Sequence, residues 1–386
     1  MGEKLGQRLD DVYEKFMEGS VSRRDFVKYL GLSGAALGLV GGPFGMIRNA
    51  MAAKSIRFDG WGGTVSEAFR KYAFKPFTDA TGIKVIDGEF GNADSYLTRV
   101  KASYPPGGEY NLAHLSGVFD YKRYVDLGFD VVLDETKIPN LETVMPAIME
   151  PYRAITNGKL SAVPYDYGLT TIAYNSKHVS DEKAEKLGAA LLWDKDLKGK
   201  LGSWTDWRTN IWYAALKTGQ DPNDIKDIKA VWAALKEQRG LIKKYWASGA
   251  EQMSLLANEE VYASIVWSGR VKTLQNQGHT HLKLLVPDGA FSWQECIFVM
   301  KGTNLDDAHK LLNYMLAPEC AFAIASGQSY PPSLDPRKVK IPAEVSSLPG
   351  FDATGTLKGY KFANPGYWNG KQIEWAEKWD RIMAGK

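Results

Sequence analysis

Residues 159–174 read Lys159-Leu160-Ser161-Ala162-Val163-Pro164-Tyr165-Asp166-Tyr167-Gly168-Leu169-Thr170-Thr171-Ile172-Ala173-Tyr174. Two strand-like runs, Lys159–Val163 and Leu169–Tyr174, abut here with only Pro164–Gly168 between them. Upstream, strands and helices alternate. A strand (Ser55–Asp59) leads through Gly60-Trp61-Gly62-Gly63 into a helix that Thr64 can cap, with Val65, Ala68, Phe69, Tyr72 and Ala73 on one face and Gly82 as its stop. A strand over Ile83–Ile86, a helix from Ala93 to Ser103 ending at Pro105-Pro106-Gly107-Gly108, and a strand over Tyr110–Leu115 follow. This rhythm predicts a parallel sheet with helices on both faces. It resumes after residue 174 up to Leu282–Val286, and Ile297–Met300 is a third uninterrupted strand before the helix Asp306–Leu316. Two α/β lobes joined by long crossing strands fit that order, although spacing alone does not fix it. Such lobes close by hinge motion. The chain ends in an amphipathic helix with Trp375, Trp379 and Ile382 on one face.

The first 53 residues differ in kind. Ser22-Arg23-Arg24-Asp25-Phe26-Val27-Lys28 precedes an uncharged stretch, Tyr29–Ile47, and a small-residue site at Ala50-Met51-Ala52. Paired arginines, a mild apolar segment and such a site make a twin-arginine export signal. The stretch has 19 residues, but six are glycine and one is Pro43, so it is a poor membrane span. An uncleaved N-terminal anchor is the alternative. Residues 1–53 are thus expected to be a signal peptide, with the mature chain starting at Ala53 or Lys54 and working in the periplasm after crossing the membrane folded.

Beyond residue 53 the chain carries 41 basic and 39 acidic side chains, a net +2. That balance gives no reason to expect nucleic acid or an anionic membrane as partner. About 330 residues suggest two domains. Two cysteines, Cys296 and Cys320, are no disulfide framework and are expected to be buried free thiols. The 12 tryptophans and 19 tyrosines exceed what a core of this size needs and hint at a site lined with rings.

Several segments carry a family likeness. They are Trp61 after the first strand, Pro76-Phe77 with Thr81-Gly82-Ile83-Lys84-Val85, the run Val163–Asn175, Lys200–Trp212, Val261–Gly269, Gly289–Met300 and Ser329-Tyr330-Pro331-Pro332. In this order they resemble the extracellular solute-binding proteins of ABC transporters, in particular the spermidine/putrescine-binding group. The resemblance implies a two-lobed α/β type II periplasmic-binding-protein fold with a hinge and an interlobe cleft. Lobe 1 would comprise residues 54–166 with 293–332, and lobe 2 residues 167–292 with 333–386. It implies a monomer without cofactor that binds a small amine or amino-acid-like solute and docks on a membrane permease, after export through the twin-arginine translocase.

The likeness also suggests a binding set. Trp61, Tyr165, Trp267, Trp293 and Tyr330 match the rings that stack along a polyamine chain, each with core packing as its alternative. A cation over such a ring gains about 0.5–1 kcal/mol when exposed and about 2 when desolvated. Asp206 and Glu295 fall where the polyamine binders keep acidic anchors. The alternative for Asp206 is a helix cap and for Glu295 a salt-bridge partner at the strand mouth, but a charge in that apolar run is costly without a partner, which favours a function for Glu295. Asp166 is a third anchor or a hinge hydrogen-bonder. Two acidic positions of the pattern are missing, with Gly63 and Thr209 in their place. Arg270, after Trp267-Ser268-Gly269, would clamp a carboxylate if it points inward and would otherwise be a surface residue. Gly62-Gly63 reads as an anion-binding helix start or as a tight turn.

Other chemistries find little support. Five histidines, at positions 114, 178, 279, 281 and 309, are scattered, and His279-Thr280-His281 lacks an evident third ligand. No nucleophile elbow, phosphate loop or dinucleotide fingerprint precedes a helix beyond residue 53. The alternatives to a transport receptor are a twin-arginine-exported cofactor enzyme and a chemoreceptor-coupled sensory binding protein of the same fold.

Overall fold

The computed structural model describes residues 54–103 and 109–385, so the leader and Pro105–Gly108 lie outside the described residues. Ten strands form one sheet: β1 Ser55–Gly60, β2 Lys84–Glu89, β3 Leu112–Leu115, β4 Ala162–Asn175, β5 Leu201–Trp204, β6 Ile242–Trp246, β7 Ala263–Trp267, β8 Leu282–Leu285, β9 Phe291–Val299 and β10 Lys361–Phe362. Their order is β2-β1-β3-β9-β4-β7-β5-β6, with β8 against β4 and β10 against β9.

The decisive stretch forms one strand rather than two. β4 runs for 14 residues and every one is buried. Its pairing with β9 shifts register between Pro164 and Asp166, a bulge that absorbs a proline with no N–H to give the ladder. The expected all-parallel sheet is also corrected. β1 pairs in parallel with β2 and β3, and β5 with β6 and β7. At the centre β9 is antiparallel to β3 and β4, and β4 is antiparallel to β7 and β8. Two parallel blocks are thus stitched together by two long antiparallel strands.

Each block has its own core. Phe58, Phe69, Leu112, Tyr165, Ile297 and Phe298 belong to the first, to which β4 gives Ala162–Tyr167. Ile172, Tyr174, Leu201, Trp212 and Ile265 belong to the second, and Ala173, Trp246 and Val266 to a smaller cluster on the same block. The sequence division assigns all of 333–386 to the second lobe. Leu334 and Leu357 pack into the first core, whereas Trp368, Trp375, Trp379 and Ile382 pack into the second. The apolar contacts therefore put the change-over between Leu357 and Trp368.

Local expectations fare unevenly. Gly82 closes the helix Lys75–Thr81 in the left-handed conformation (φ 71°). The terminal helix Gln372–Met383 buries Trp375, Trp379 and Ile382. Thr64 does not cap the first helix: Gly62 holds that position with no side-chain bond, and the Thr64 hydroxyl binds Arg270 instead. Cys296 and Cys320 are buried free thiols. No described helix is long and apolar enough to cross a membrane.

The tail is held by tryptophan packing. Trp368 is fully buried, with its ring 6.0 Å from Trp212 and 5.5 Å from Trp375, and its Nε1 donates to Asn223 Oδ1 at 3.0 Å. Trp368→Ala should cost about 3–5 kcal/mol in urea unfolding, the range for deleting a large buried ring. A loss below about 1 kcal/mol would show that the tail is not integral to the second core.

Candidate functional site

The site begins with the alternation of β9. Its burial pattern leaves Phe291, Trp293 and Glu295 half-buried while Ser292, Gln294 and Cys296 are buried, because successive strand residues point to opposite faces. Phe291, Trp293 and Glu295 all reach one cavity. Trp61 enters it just beyond the end of β1, Trp204 and Trp267 from the ends of β5 and β7, and Tyr330 just after the helix Pro318–Gln328. Six aromatic rings, Ser116, Thr170, Glu295 and Arg270 therefore supply most of the wall, contributed by both cores. Two larger cavities adjoin it. One shares Trp61 and Arg270, the other Ser116, Trp204, Phe291 and Trp293, so the three form a continuous cleft.

The rings support one another. Trp267 meets Trp61 edge-on at 6.4 Å, Trp204 at 5.0 Å and Trp246 at 5.2 Å. Trp204 stacks on Trp246 at 5.6 Å. Trp293 meets Tyr330 at 4.8 Å. Gly168 matters here, since a Cβ at that point of β4 would lie 2.5 Å from the Trp293 ring. The Trp61 indole N–H is buried without a partner, a donor available to whatever fills the cleft.

Beneath Glu295 lies a hydrogen-bonded cluster. Asp166 sits opposite Glu295 in the β4–β9 ladder. His114 on β3 puts Nε2 3.3 Å from Asp166 Oδ1 and 3.0 Å from Glu295 Oε2. Gln328 Nε2 donates to Asp166 Oδ2 at 2.6 Å. The three titratable groups are spaced as metal ligands would be, but the hydrogen bonds among them already account for that spacing. Burial, followed by the neighbouring Asp166 charge, drives the Glu295 carboxyl well above its ordinary 4.5, while Arg270 acts in the opposite sense.

The predicted residues separate accordingly. Trp61, Trp267, Arg270, Trp293, Glu295 and Tyr330 meet around the central cavity. Tyr165 does not line it. It is 2% exposed in the first core, 5.4 Å from Phe69 and 6.1 Å from His114, so the ordinary reading of a buried ring prevails. Asp166 is buried beneath Glu295 and serves the crossing strands. Asp206 lines an adjoining cavity, but its oxygens are engaged. Oδ2 accepts from Thr209 N at 2.8 Å and Thr209 Oγ1 at 2.9 Å, and Oδ1 from Arg208 Nε at 3.3 Å. It is a helix cap, the alternative the sequence offered. Gly62 and Gly63 have φ of 75° and 56°, and a Cβ on Gly62 would lie 2.8 Å from Glu89 Oε2. With Glu67 and Glu89 facing the same cavity, the pair acts as a turn rather than an anion cradle. Sequence reasoning missed Trp204, Phe291 and His114. The first two stand within the quoted motifs at a strand end and on the Trp293 face, and only the sheet register reveals His114.

The buried carboxyl has a measurable signature. A carboxyl raised on folding destabilises the protein as pH climbs past its unfolded value toward its folded one. Glu295→Gln should therefore be at least as stable as the parent above pH 4.5, with an advantage that widens as pH rises. Thermal midpoints from about pH 5 to about pH 8 test this. Curves that stay parallel would place the buried proton elsewhere.

Comparison with known proteins sets this cleft in a family. Residues 72–352 match the model of bacterial extracellular solute-binding proteins. The chain is 27% identical over 280 residues to the spermidine/putrescine-binding periplasmic protein 1 of Haemophilus influenzae, covering 71% of this chain and 75% of that protein. Among solved structures, it superposes on a putative spermidine/putrescine ABC transporter from Listeria monocytogenes with a TM-score of 0.73 at 20% identity, over 86% of this chain and 100% of that one. It also superposes on the Atu4243-GABA receptor with a TM-score of 0.69 at 22% identity, over 86% and 98%. These likenesses establish the α/β periplasmic-binding-protein fold. The family is one of solute-binding proteins, which are not enzymes. Its sequence over residues 72–352, its two cores on shared strands and its interlobe cleft make this chain a member of the bacterial extracellular solute-binding proteins.

Proposed function

We propose that the protein captures a small amine-containing solute, polyamine-like or amino-acid-like, outside the cytoplasm and delivers it to the permease of an ABC importer. The observation that carries this reading is the central cavity, where six aromatic rings surround a single lining carboxylate, Glu295. Flat ring faces attract a cation and its methylenes, and a desolvated carboxylate fixes the ammonium. The relatives named for spermidine and putrescine favour an amine. The structural neighbour named for GABA shows that the same fold serves other amines, so the choice of solute rests with the residues in the cleft.

Residues 54–166 with about 293–357 form the first lobe on this reading, and residues 167–292 with the tail from about Trp368 form the second. β4 and β9 are the straps on which they turn. The solute stabilises the closed form through contacts to both lobes, and the closed monomer is what the permease recognises. Residues 1–53 address the chain to the twin-arginine translocase and leave it in the periplasm.

Glu295→Ala should weaken amine binding by about 2 kcal/mol, roughly thirtyfold, in isothermal titration of the purified protein. An unchanged dissociation constant would remove Glu295 as the ammonium anchor. Export has its own test. Replacing Arg23 and Arg24 together by lysine should retain the protein inside the cell in fractionation, and undiminished periplasmic protein would refute the twin-arginine route.

A further inference from the structure

Arg270 is a buried cation that, among the described residues, has no carboxylate within salt-bridge distance. It is 2% exposed and stands in the first turn of the helix Ser268–Asn276. Its guanidinium donates through Nη1 to the Thr64 hydroxyl of the other block and lies 5.9 Å from the Trp267 ring centre. Among the described residues no carboxylate comes within 4.0 Å of it. The half-buried arginines behave differently: Arg57 pairs with Asp59 at 2.9 Å, Arg123 with Asp120 at 3.0 Å, Arg153 with Glu135 at 2.6 Å and Arg208 with Asp206 at 3.3 Å. Among the described residues these half-buried arginines each meet a carboxylate, whereas Arg270, which lines the central cavity, meets none within salt-bridge distance. An unpaired buried charge is expensive, and an incoming anion relieves that cost.

The position is built to hold the group. A Cβ at Gly249 would lie 2.5 Å from Arg270 Nε, so the guanidinium rests on bare backbone. Among the described residues, Arg270 and Glu295 are the charged ones lining the central cavity. A diamine entering it brings two positive charges to a space that already holds one cation and one carboxyl. A solute with one ammonium and one carboxylate adds no net charge, its ammonium drawing Glu295 into the ionised form and its carboxylate meeting the planar fork of Arg270. Glu67 and Glu89 line the adjoining cavity, but neither comes within salt-bridge distance of Arg270, and Glu89 is engaged by Arg70 at 2.5 Å.

We propose that Arg270 is the carboxylate subsite of the cleft and that the solute is an amino carboxylate with an apolar spacer rather than a diamine or longer polyamine. The proposal rests on the amine-receptor reading and narrows it. The test titrates the purified protein with ω-amino acids and with α,ω-diamines of matched chain length, 4-aminobutyrate against putrescine being the central pair. The expected result is affinity for the amino carboxylate about tenfold or more above its diamine partner. Arg270→Gln should remove that margin by lowering amino-carboxylate affinity about tenfold more than diamine affinity, while Arg270→Lys, which keeps the charge and loses the fork, should fall between. Thermal midpoints of both variants establish that they are folded. Diamines bound as tightly as amino carboxylates, or amino-carboxylate affinity that survives Arg270→Gln, would overturn the subsite. If Glu295→Ala still abolishes the diamine binding, the amine receptor stands without it. No binding of either series would overturn both.

Discussion

The pairing of β4 with β9 is the constraint on which the rest depends. These two strands pass through both cores, and their ladder sets Asp166 opposite Glu295 at the crossing. Each strand has to be apolar enough to pass through two interiors and polar enough at one point to serve a cleft. The bulge at Pro164/Asp166 lies at that point. A shift of one residue would turn Glu295 and Trp293 away from the cavity and Gln294 into it, since side chains alternate across a strand. The site is therefore as precise as the register, and the register is held by the cores on either side.

Much of this was legible in the sequence, and the failures share a cause. Strand–helix alternation, the Gly82 stop and the Trp375–Trp379–Ile382 face are local patterns, and local patterns survive folding. Trp61, Trp267, Trp293 and Glu295 sit at strand ends or on one face of β9, and Tyr330 just after a helix, and the family likeness of their motifs singled them out. Tyr165 and Asp206 show the limit. A tyrosine on a crossing strand can face core or cleft, and an aspartate before a helix can cap it or bind a ligand; only neighbours distant in sequence decide. His114 was invisible because its partners come from β4 and β9, more than 50 residues away. Thr64 had a plausible local task as a cap and gave it up for a bond to Arg270 across the cleft.

The distribution of charge in the cleft is the other lesson. Burial and Asp166 oppose ionisation of Glu295, while Arg270 favours it. The site is thus held away from full charge separation. Binding energy in such a site comes largely from satisfying groups that the fold has left short of partners, among them the Trp61 N–H and the open guanidinium.

The tryptophan contacts carry an optical consequence. Trp61, Trp267, Trp204 and Trp246 form an unbroken series of indoles, none more than 6.4 Å from the next. Rings this close exchange excitation, so light absorbed anywhere in the series is emitted largely from its lowest-energy member. The series runs from the end of β1 to the strands of the opposite block, and any relative movement of the blocks changes the spacing of its first pair. The protein's own fluorescence thereby reports the opening and closing of its lobes, with no label attached.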